Sequence, residues 1–252
     1  MSSVNPKETM DESALISIIV PAFNEGDRLG ATLTSVRAQT VPCEIIVVDA
    51  QSTDETLALA RGADARVISS LRRQRAAQLN LGAQQASGST LLFLHADTVL
   101  SARALDHITD ALQDRSVSGG AFTRRYASPS LLLRATCRLA HLRNRTIGWH
   151  LGDQAMFVRR SPFFQLGGFR EVDSFEDLDF SRRLGRFGRL VTLSPAVTSS
   201  ARRFTEAGIA RRTWCDLALT ARYLIGGLDA VQTGAVAKTA HMYEVRESVR
   251  HL

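Results

Sequence analysis

Lysine is nearly missing from this chain. Of 31 lysines and arginines, only Lys7 and Lys238 are lysines. Basic charge is therefore carried by guanidinium groups, whose planar forks suit phosphate oxygens. Most of these arginines read as solvated surface. Cysteine is scarce as well. Cys43, Cys137 and Cys215 lie far apart, with no CxxC pair and no Cys/His spacing of the zinc type. That excludes a disulfide scaffold and fits free thiols in a reducing compartment. No window holds the ~18 uninterrupted apolar residues of a spanning helix. The N-terminus lacks the basic-then-apolar run of a signal peptide and carries Glu8, Asp11 and Glu12 instead. These absences predict a soluble cytoplasmic protein. Repeats, low-complexity tracts and aromatic–basic interleaving are also missing, so no nucleic-acid partner is expected despite the net charge of +6. A hydrophobic content of 44% with 22% charged residues argues against disorder over the whole chain.

What is present is alternation. Residues 1–13 are polar and read as a flexible N-terminus. "LISIIVPAFNE" then reads as a buried strand, apolar on both faces and stopped by Pro21. "RLGATLTSVRAQ" has helical spacing. "EIIVVDA" is a second strand. "STDETLALARG" reads as a helix opened by a capping box from Ser52 to Glu55. "ARVISS", "RQRAAQLNLGAQQASG" and "TLLFLHAD" read as strand, helix and strand, and "SARALDHITDALQD" as another helix. Such alternation predicts an α/β fold with a mostly parallel central sheet and helices on both faces. The remainder is less regular. "VSGGAFTRRY", "GDQAMFVRR" and "RLVTLSP" read as strands, "SLLLRATCRLAHLRN" and "SFEDLDFSRRLGRFG" as helices. Ser161 and Pro162 read as the cap and first turn of a short helix. Leu217, Tyr223, Leu224 and Leu228 read as a core-packing face of a C-terminal helix. One domain over residues 14–252 is expected, with a first half (14–115) and a second half (116–252).

Ligands of such sheets bind at the carboxyl ends of the strands. Three carboxylates stand there: Glu25, Asp49 and Asp97. Their crowding is unfavourable unless a cation or hydrogen-bond donors offset it. The strand "LLFLHAD" ends on His95 and Asp97, which reads either as a surfacing strand or as a metal site.

"SIIVPAFNE", "IIVVDAQSTDET", "RAAQLNLGAQQASG", "LLFLHADT", "GGF" and "FEDLDFSRRL" stand in the order found in family 2 glycosyltransferases, which this chain resembles over residues 16–193. "HAD" in place of Asp-x-Asp, with "GDQAMFVRR" and "SSARRF", resembles a bacterial subgroup of unassigned substrate. The resemblance implies a GT-A nucleotide-diphospho-sugar transferase fold, with a nucleotide-binding half followed by an acceptor half. It implies an inverting transfer from a nucleotide-diphosphate sugar to an acceptor hydroxyl, assisted by Mg²⁺ or Mn²⁺. Carried over by position, Pro21, Ala22, Asn24 and Glu25 would cradle the nucleotide. Asp49 would meet the base or ribose, with Ser52 and Asp54 in the same turn. Arg75 and Gln78 would contact nucleotide or phosphates. Asp97 would hold the metal, with His95 as a second candidate ligand. Asp177 would be the general base, with its neighbour Glu176 able to exchange roles. Asp153 and Gln154 would meet the acceptor.

Other readings stay open at this point. Asp177 follows Ser174 at helix-start spacing and could merely satisfy helix donors. Glu25 could be a first-turn acid and Asp49 a turn cap. His95 could be a structural histidine marking a degraded metal site in a non-catalytic nucleotide-sugar-binding protein. A nucleotidyltransferase would require a Gly-rich loop followed by lysine where "PAFNEGDR" stands. The basic helix bearing Arg134, Arg138, Arg143 and Arg145 leaves open a lipid-linked acceptor and peripheral attachment at the inner membrane face.

Overall fold

A computed structural model describes residues 15–248; the stretch expected to be flexible, 1–13, lies outside the described residues. Four parallel strands build the first half: β1 (Ile16–Ala22), β2 (Cys43–Asp49), β3 (Arg66–Ser69) and β4 (Thr90–Phe93). They alternate with α1 (Gly26–Arg37), α2 (Thr56–Gly62) and α3 (Arg75–Gln85). A short β5 (Thr98–Val99) and α4 (Ala104–Leu112) follow. The second half adds β6 (Val117–Tyr126), α5 (Leu131–Ile147), β7 (Met156–Arg159) and α6 (Arg160–Gln165). It continues with α7 (Glu176–Phe187), β8 (Arg189–Ser199), α8 (Arg202–Ala207) and α9 (Ile209–Ser248).

All eight strands form one sheet, in the order β3-β2-β1-β4-β7-β6-β8-β5. β7 runs antiparallel to both β4 and β6, and β5 antiparallel to β8. The alternation of side chains along β1 explains why its sequence is apolar throughout. Ile18 and Val20 enter a core layer with Leu29, Leu33 and Val36 of α1. Ile19 enters the opposite layer with Leu79, Phe163, Phe169 and Phe180. Each such buried side chain contributes about 1.5–3 kcal/mol. Gly82 of α3 lets the helix settle on this layer: a Cβ there would meet Ile19 Cγ2 at 2.5 Å.

Several local expectations need correction. β1 does not stop at Pro21 but continues in register with β2 to Ala22. Ile19 O accepts from Leu94 N, while Ala22 O accepts from Ala50 N. Odd residues of β1 thus face β4, and Pro21 faces the side where β4 has already ended, so its missing N–H leaves no gap. Ser52 and Glu55 form no capping box. α2 begins later, and Asp54 Oδ1 accepts from Thr56 N at 3.0 Å. The strand expected to begin in "GDQ" starts at Met156, because Gly152–Gln154 forms a 3₁₀ turn. Arg159, not Ser161, precedes the first turn of α6. On α9, Tyr223 and Leu228 pack inward against Leu178, but Leu217 and Leu224 are exposed.

Candidate active site

The first wall of the site is a hydrogen-bonded lattice joining the ends of β1 and β2. Asp49 is buried and accepts from Ser52 N at 2.9 Å and from Ser52 Oγ at 2.5 Å. Ser52 Oγ in turn accepts from Asn24 N at 2.9 Å, and Asn24 Oδ1 accepts from Thr53 N at 2.9 Å. Glu25 N donates to Thr56 Oγ1, and Gly26 N to Asp54 Oδ2. Gln78 is buried behind this lattice, its amide donating to Ala22 O and Val48 O. The N–H groups of Asn24, Glu25 and Gly26 are each satisfied by side chains of the neighbouring turn, so the loop "PAFNE" is held as a fixed shelf. Asn24 and Gln51 adopt left-handed backbone, at φ 49° and 63°. Ala155 and Phe175 do so on the far wall, at φ 51° and 66°. Such conformations cost about 1–3 kcal/mol each and persist only where surroundings impose them.

The floor holds Glu25, His95 and Asp97. Glu25 Oε1 accepts from Arg202 Nη2 at 3.1 Å, while its buried Oε2 has no hydrogen-bond partner. Burial raises the Glu25 carboxyl, Arg202 opposes, and the charge of Asp97 raises it further. Burial and the Arg75 charge push His95 down to about 4. Its imidazole is therefore neutral at pH 7, the form that ligates metals. Among the described residues, no three His, Cys, Asp or Glu side chains converge in a metal-holding cluster. Asp97 and the neutral imidazole of His95, two residues before it, offer one oxygen and one nitrogen donor, short of a complete protein shell. This pair fits an ion that completes its shell with diphosphate oxygens and water.

The opposite wall is built by α7 and the 3₁₀ turn. Glu176 is buried, receives Arg75 Nε at 2.5 Å, and leaves Oε2 unpartnered. Asp177 Oδ2 accepts from Gly152 N at 2.6 Å, and Oδ1 from Leu178 N at 2.7 Å. Burial, then the charge of Glu176, raises the Asp177 carboxyl to about 6. Asp153 is ion-paired with Arg124 and accepts from Tyr126 Oη at 3.0 Å. Burial alone would raise Asp153, but the charge and hydrogen bond of Arg124, with His95 and the Tyr126 hydroxyl, together outweigh it and hold the carboxyl at about 2. Two carboxyls 24 positions apart in the chain are thus tuned in opposite directions, which separates a proton acceptor from a permanent anion.

Not every candidate faces this space. Gln154 is buried, accepts from Leu151 N at 3.0 Å and donates to Phe122 O at 3.1 Å. It braces the turn from inside, so the expectation that it meets an acceptor gives way to a structural part. Asp179 points away, to Arg170 and Arg183. Arg72 pairs with Glu171, Arg73 lies over the Phe23 ring of the shelf, and Arg75 reaches the buried Glu176. Sequence reasoning assigned no part to Arg124, Tyr126, Gly152, Arg202 or Arg203. Arg203 lies close enough to Arg75 and Arg212 that they, after burial, depress its pKa. The signal was there in "TRRY" and "SSARRF", each at or just beyond a strand's carboxyl end.

Gly152 sits between the metal candidate His95 and the base candidate Asp177. A Cβ on it would stand 3.0 Å from His95 Nε2 and 3.1 Å from Asp177 Oδ2. Gly152→Ala is expected to displace both groups while leaving the fold intact. An ångström-scale misplacement costs ~10²-fold in kcat. Steady-state kinetics beside a circular dichroism melt would separate that loss from unfolding.

The sequence model described as glycosyl transferase family 2 matches residues 17–166, more than half of the chain. An uncharacterized protein of Mycobacterium tuberculosis is 29% identical over 208 residues, covering 72% of this chain and 64% of that protein. This chain thus spans under two thirds of that relative. Among solved structures, a mannosyltransferase of Pyrobaculum calidifontis in complex with GDP-Man and Mn²⁺ superposes with a TM-score of 0.62. That similarity has 23% identity and covers 73% of this chain and 56% of that one. Staphylococcus aureus TarS in complex with UDP-GlcNAc superposes with a TM-score of 0.59 at 20% identity, covering 73% and 58%. The fold is that of the GT-A glycosyltransferases.

Proposed function

The chain belongs to glycosyl transferase family 2, and we propose that it moves a sugar from a nucleotide-diphosphate donor to an acceptor hydroxyl with inversion at the anomeric carbon. One observation carries this reading: the Asp177 carboxyl, raised to about 6, accepts from Gly152 N at 2.6 Å, and the same glycine lies against His95, two residues before Asp97. A base with that affinity is ionised at pH 7 yet still able to take a proton. The shelf of Pro21, Ala22, Asn24 and Glu25 would receive the nucleoside, with Asp49 and Ser52 fixing its shape. Asp97 and His95 would hold Mg²⁺ or Mn²⁺ against the diphosphate, which with water would supply the remaining ligands. When bound, that ion would neutralise charge on the departing diphosphate. Arg75, kept cationic by Glu176, stands near the same space and adds a permanent positive charge. Asp153 would orient the acceptor. Asp177 removes the hydroxyl proton as the acceptor oxygen bonds the anomeric carbon from the face opposite the breaking carbon–oxygen bond. The electron pair of that bond leaves with the diphosphate.

The neighbours' printed ligands, GDP-Man and UDP-GlcNAc, support a nucleotide-sugar donor. The test is a proton NMR time course with UDP- and GDP-sugars, Mn²⁺ and a panel of soluble and long-chain alcohols. Release of nucleoside diphosphate together with a product of opposite anomeric configuration is expected. Retained configuration, or pyrophosphate released from a nucleoside triphosphate, would contradict the reading.

A further inference from the structure

Eight of the eleven exposed large apolar side chains of the described residues lie on two helices, α5 and α9. On α5 they are Leu131, Leu132, Leu139 and Leu142. At 100° per residue these four fall within one arc of about 100°. The opposite side of α5 is the one that packs inward, through Leu133, Ala140 and Asn144. On α9, Trp214, Leu217, Leu224 and Ile225 fall, by the same rotation, within an arc of about 100°. Trp214 is 74% exposed and Ile225 90%. A helix that shows water its leucines and tryptophan carries an unpartnered face. α5 and α9 are neighbours in the fold, joined where Leu133 clusters with Phe204 and Ile209.

Charge says what covers this face. α5 has four arginines and no aspartate or glutamate. Arg134 and Arg138, both exposed, run along one edge of its leucine arc. Arg211 and Arg222, also exposed, run along one edge of the α9 arc. Asp216, the one acid between them, is occupied by Arg212 at 2.9 Å. A two-fold pairing of copies through these arcs would set arginine edges against each other, with no acid on α5 to meet them. A sheet of anionic headgroups over an acyl layer meets both features at once. Tryptophan at the margin suits the same boundary. No described helix is long and apolar enough to cross a membrane, so these helices would lie along the surface.

We propose that α5 and α9 dock the protein on an anionic lipid bilayer, with the leucine and tryptophan arcs in the acyl boundary and the edge arginines on lipid phosphates. This docking needs neither nucleotide nor metal, so it stands or falls apart from the transfer reaction.

The full chain should co-float with vesicles of 70% phosphatidylcholine and 30% phosphatidylglycerol, and far less with pure phosphatidylcholine. Replacing one headgroup-facing arginine lowers partition about fivefold, so Arg134→Gln with Arg138→Gln should cut it at least that much. Leu139→Glu with Ile225→Glu should abolish flotation while circular dichroism melts stay unchanged, because both side chains are solvent-exposed. With Trp149→Phe leaving Trp214 as the single tryptophan, its emission should shift to the blue on adding anionic vesicles. Flotation that ignores headgroup charge, or that survives the Leu139/Ile225 pair, would overturn the proposal. So would sedimentation showing a dimer that the Leu139/Ile225 pair dissolves while anionic vesicles fail to bind. An unmoved Trp214 emission would overturn it independently.

Discussion

Asp177→Asn is expected to lower kcat by ~10²–10⁴-fold, the usual contribution of a positioned general base, while making the protein more stable. The two effects share one cause. Burial and the adjacent Glu176 raise the Asp177 carboxyl from an ordinary 3.8 to about 6. The folded chain therefore favours the protonated form, and holding the charge at pH 7 costs stability. Asparagine keeps an oxygen for Gly152 N and removes the charge but turns an NH2 group toward Leu178 N, so it should gain at most about 1 kcal/mol at pH 7. The sign sets the pH window. A raised acid gives full stability below the unfolded value near 3.8 and loses it as pH rises through about 6. The melting difference between variant and wild type should be largest above pH 7 and vanish below pH 4. Wild-type kcat/KM should fall with acidity below about pH 6, as the base takes up its proton. Differential scanning calorimetry and pH–rate profiles read the two limbs. A variant with normal turnover would remove Asp177 from the role of base.

Asp97→Ala carries the second large effect. A metal-anchoring carboxylate contributes several kcal/mol of charge stabilisation to the transition state, so kcat/KM should drop by ~10²–10³-fold or more. The loss should not be recovered by raising Mn²⁺ tenfold. Asp97 also raises the carboxyl of Glu25 across the floor. Its removal should let the Glu25 carboxyl fall and leave the apo protein no less stable. Activity with titrated Mn²⁺, beside melts without metal, tests both halves. His95→Ala with unchanged activity alongside a dead Asp97→Ala would assign the floor to the carboxylate alone.

The first four strands were readable because each is a short apolar run closed by polar residues, and the helices between them have their own period. Those are local properties. The insertion of β7 between β4 and β6, with its direction reversed, was not readable, because it depends on pairing Leu91 with Val158 across 67 positions. Pro21 misled because strand termination was judged from one chain, while its missing donor matters only if a neighbour is present. Ser52 caps no helix for a related reason: its hydroxyl donates back to Asp49 and accepts from Asn24, 28 residues away, rather than serving the helix that follows. The floor and the α7 wall were legible as Asp97, His95, Glu176 and Asp177 through ordered motifs. The Arg124–Asp153–Tyr126 group was not, since it joins a strand and a turn 27–29 residues apart. The leucines of α5 gave a clear helical period, but the period does not say which arc turns inward. Arg134 and Arg138 left peripheral membrane attachment open, but which leucines stand beside them at the surface depends on how the helix packs.

The central claim is that the carboxyl ends of β1, β2 and β4 form one site that holds a nucleoside diphosphate through a divalent ion beside Asp97. Isothermal titration of UDP and of GDP, each with and without Mn²⁺, into wild type and Asp97→Ala tests it most directly. Binding of one nucleotide that requires Mn²⁺ and disappears in Asp97→Ala is the predicted result. Binding that ignores Mn²⁺ and survives Asp97→Ala unchanged, or no binding of either nucleotide, would contradict it.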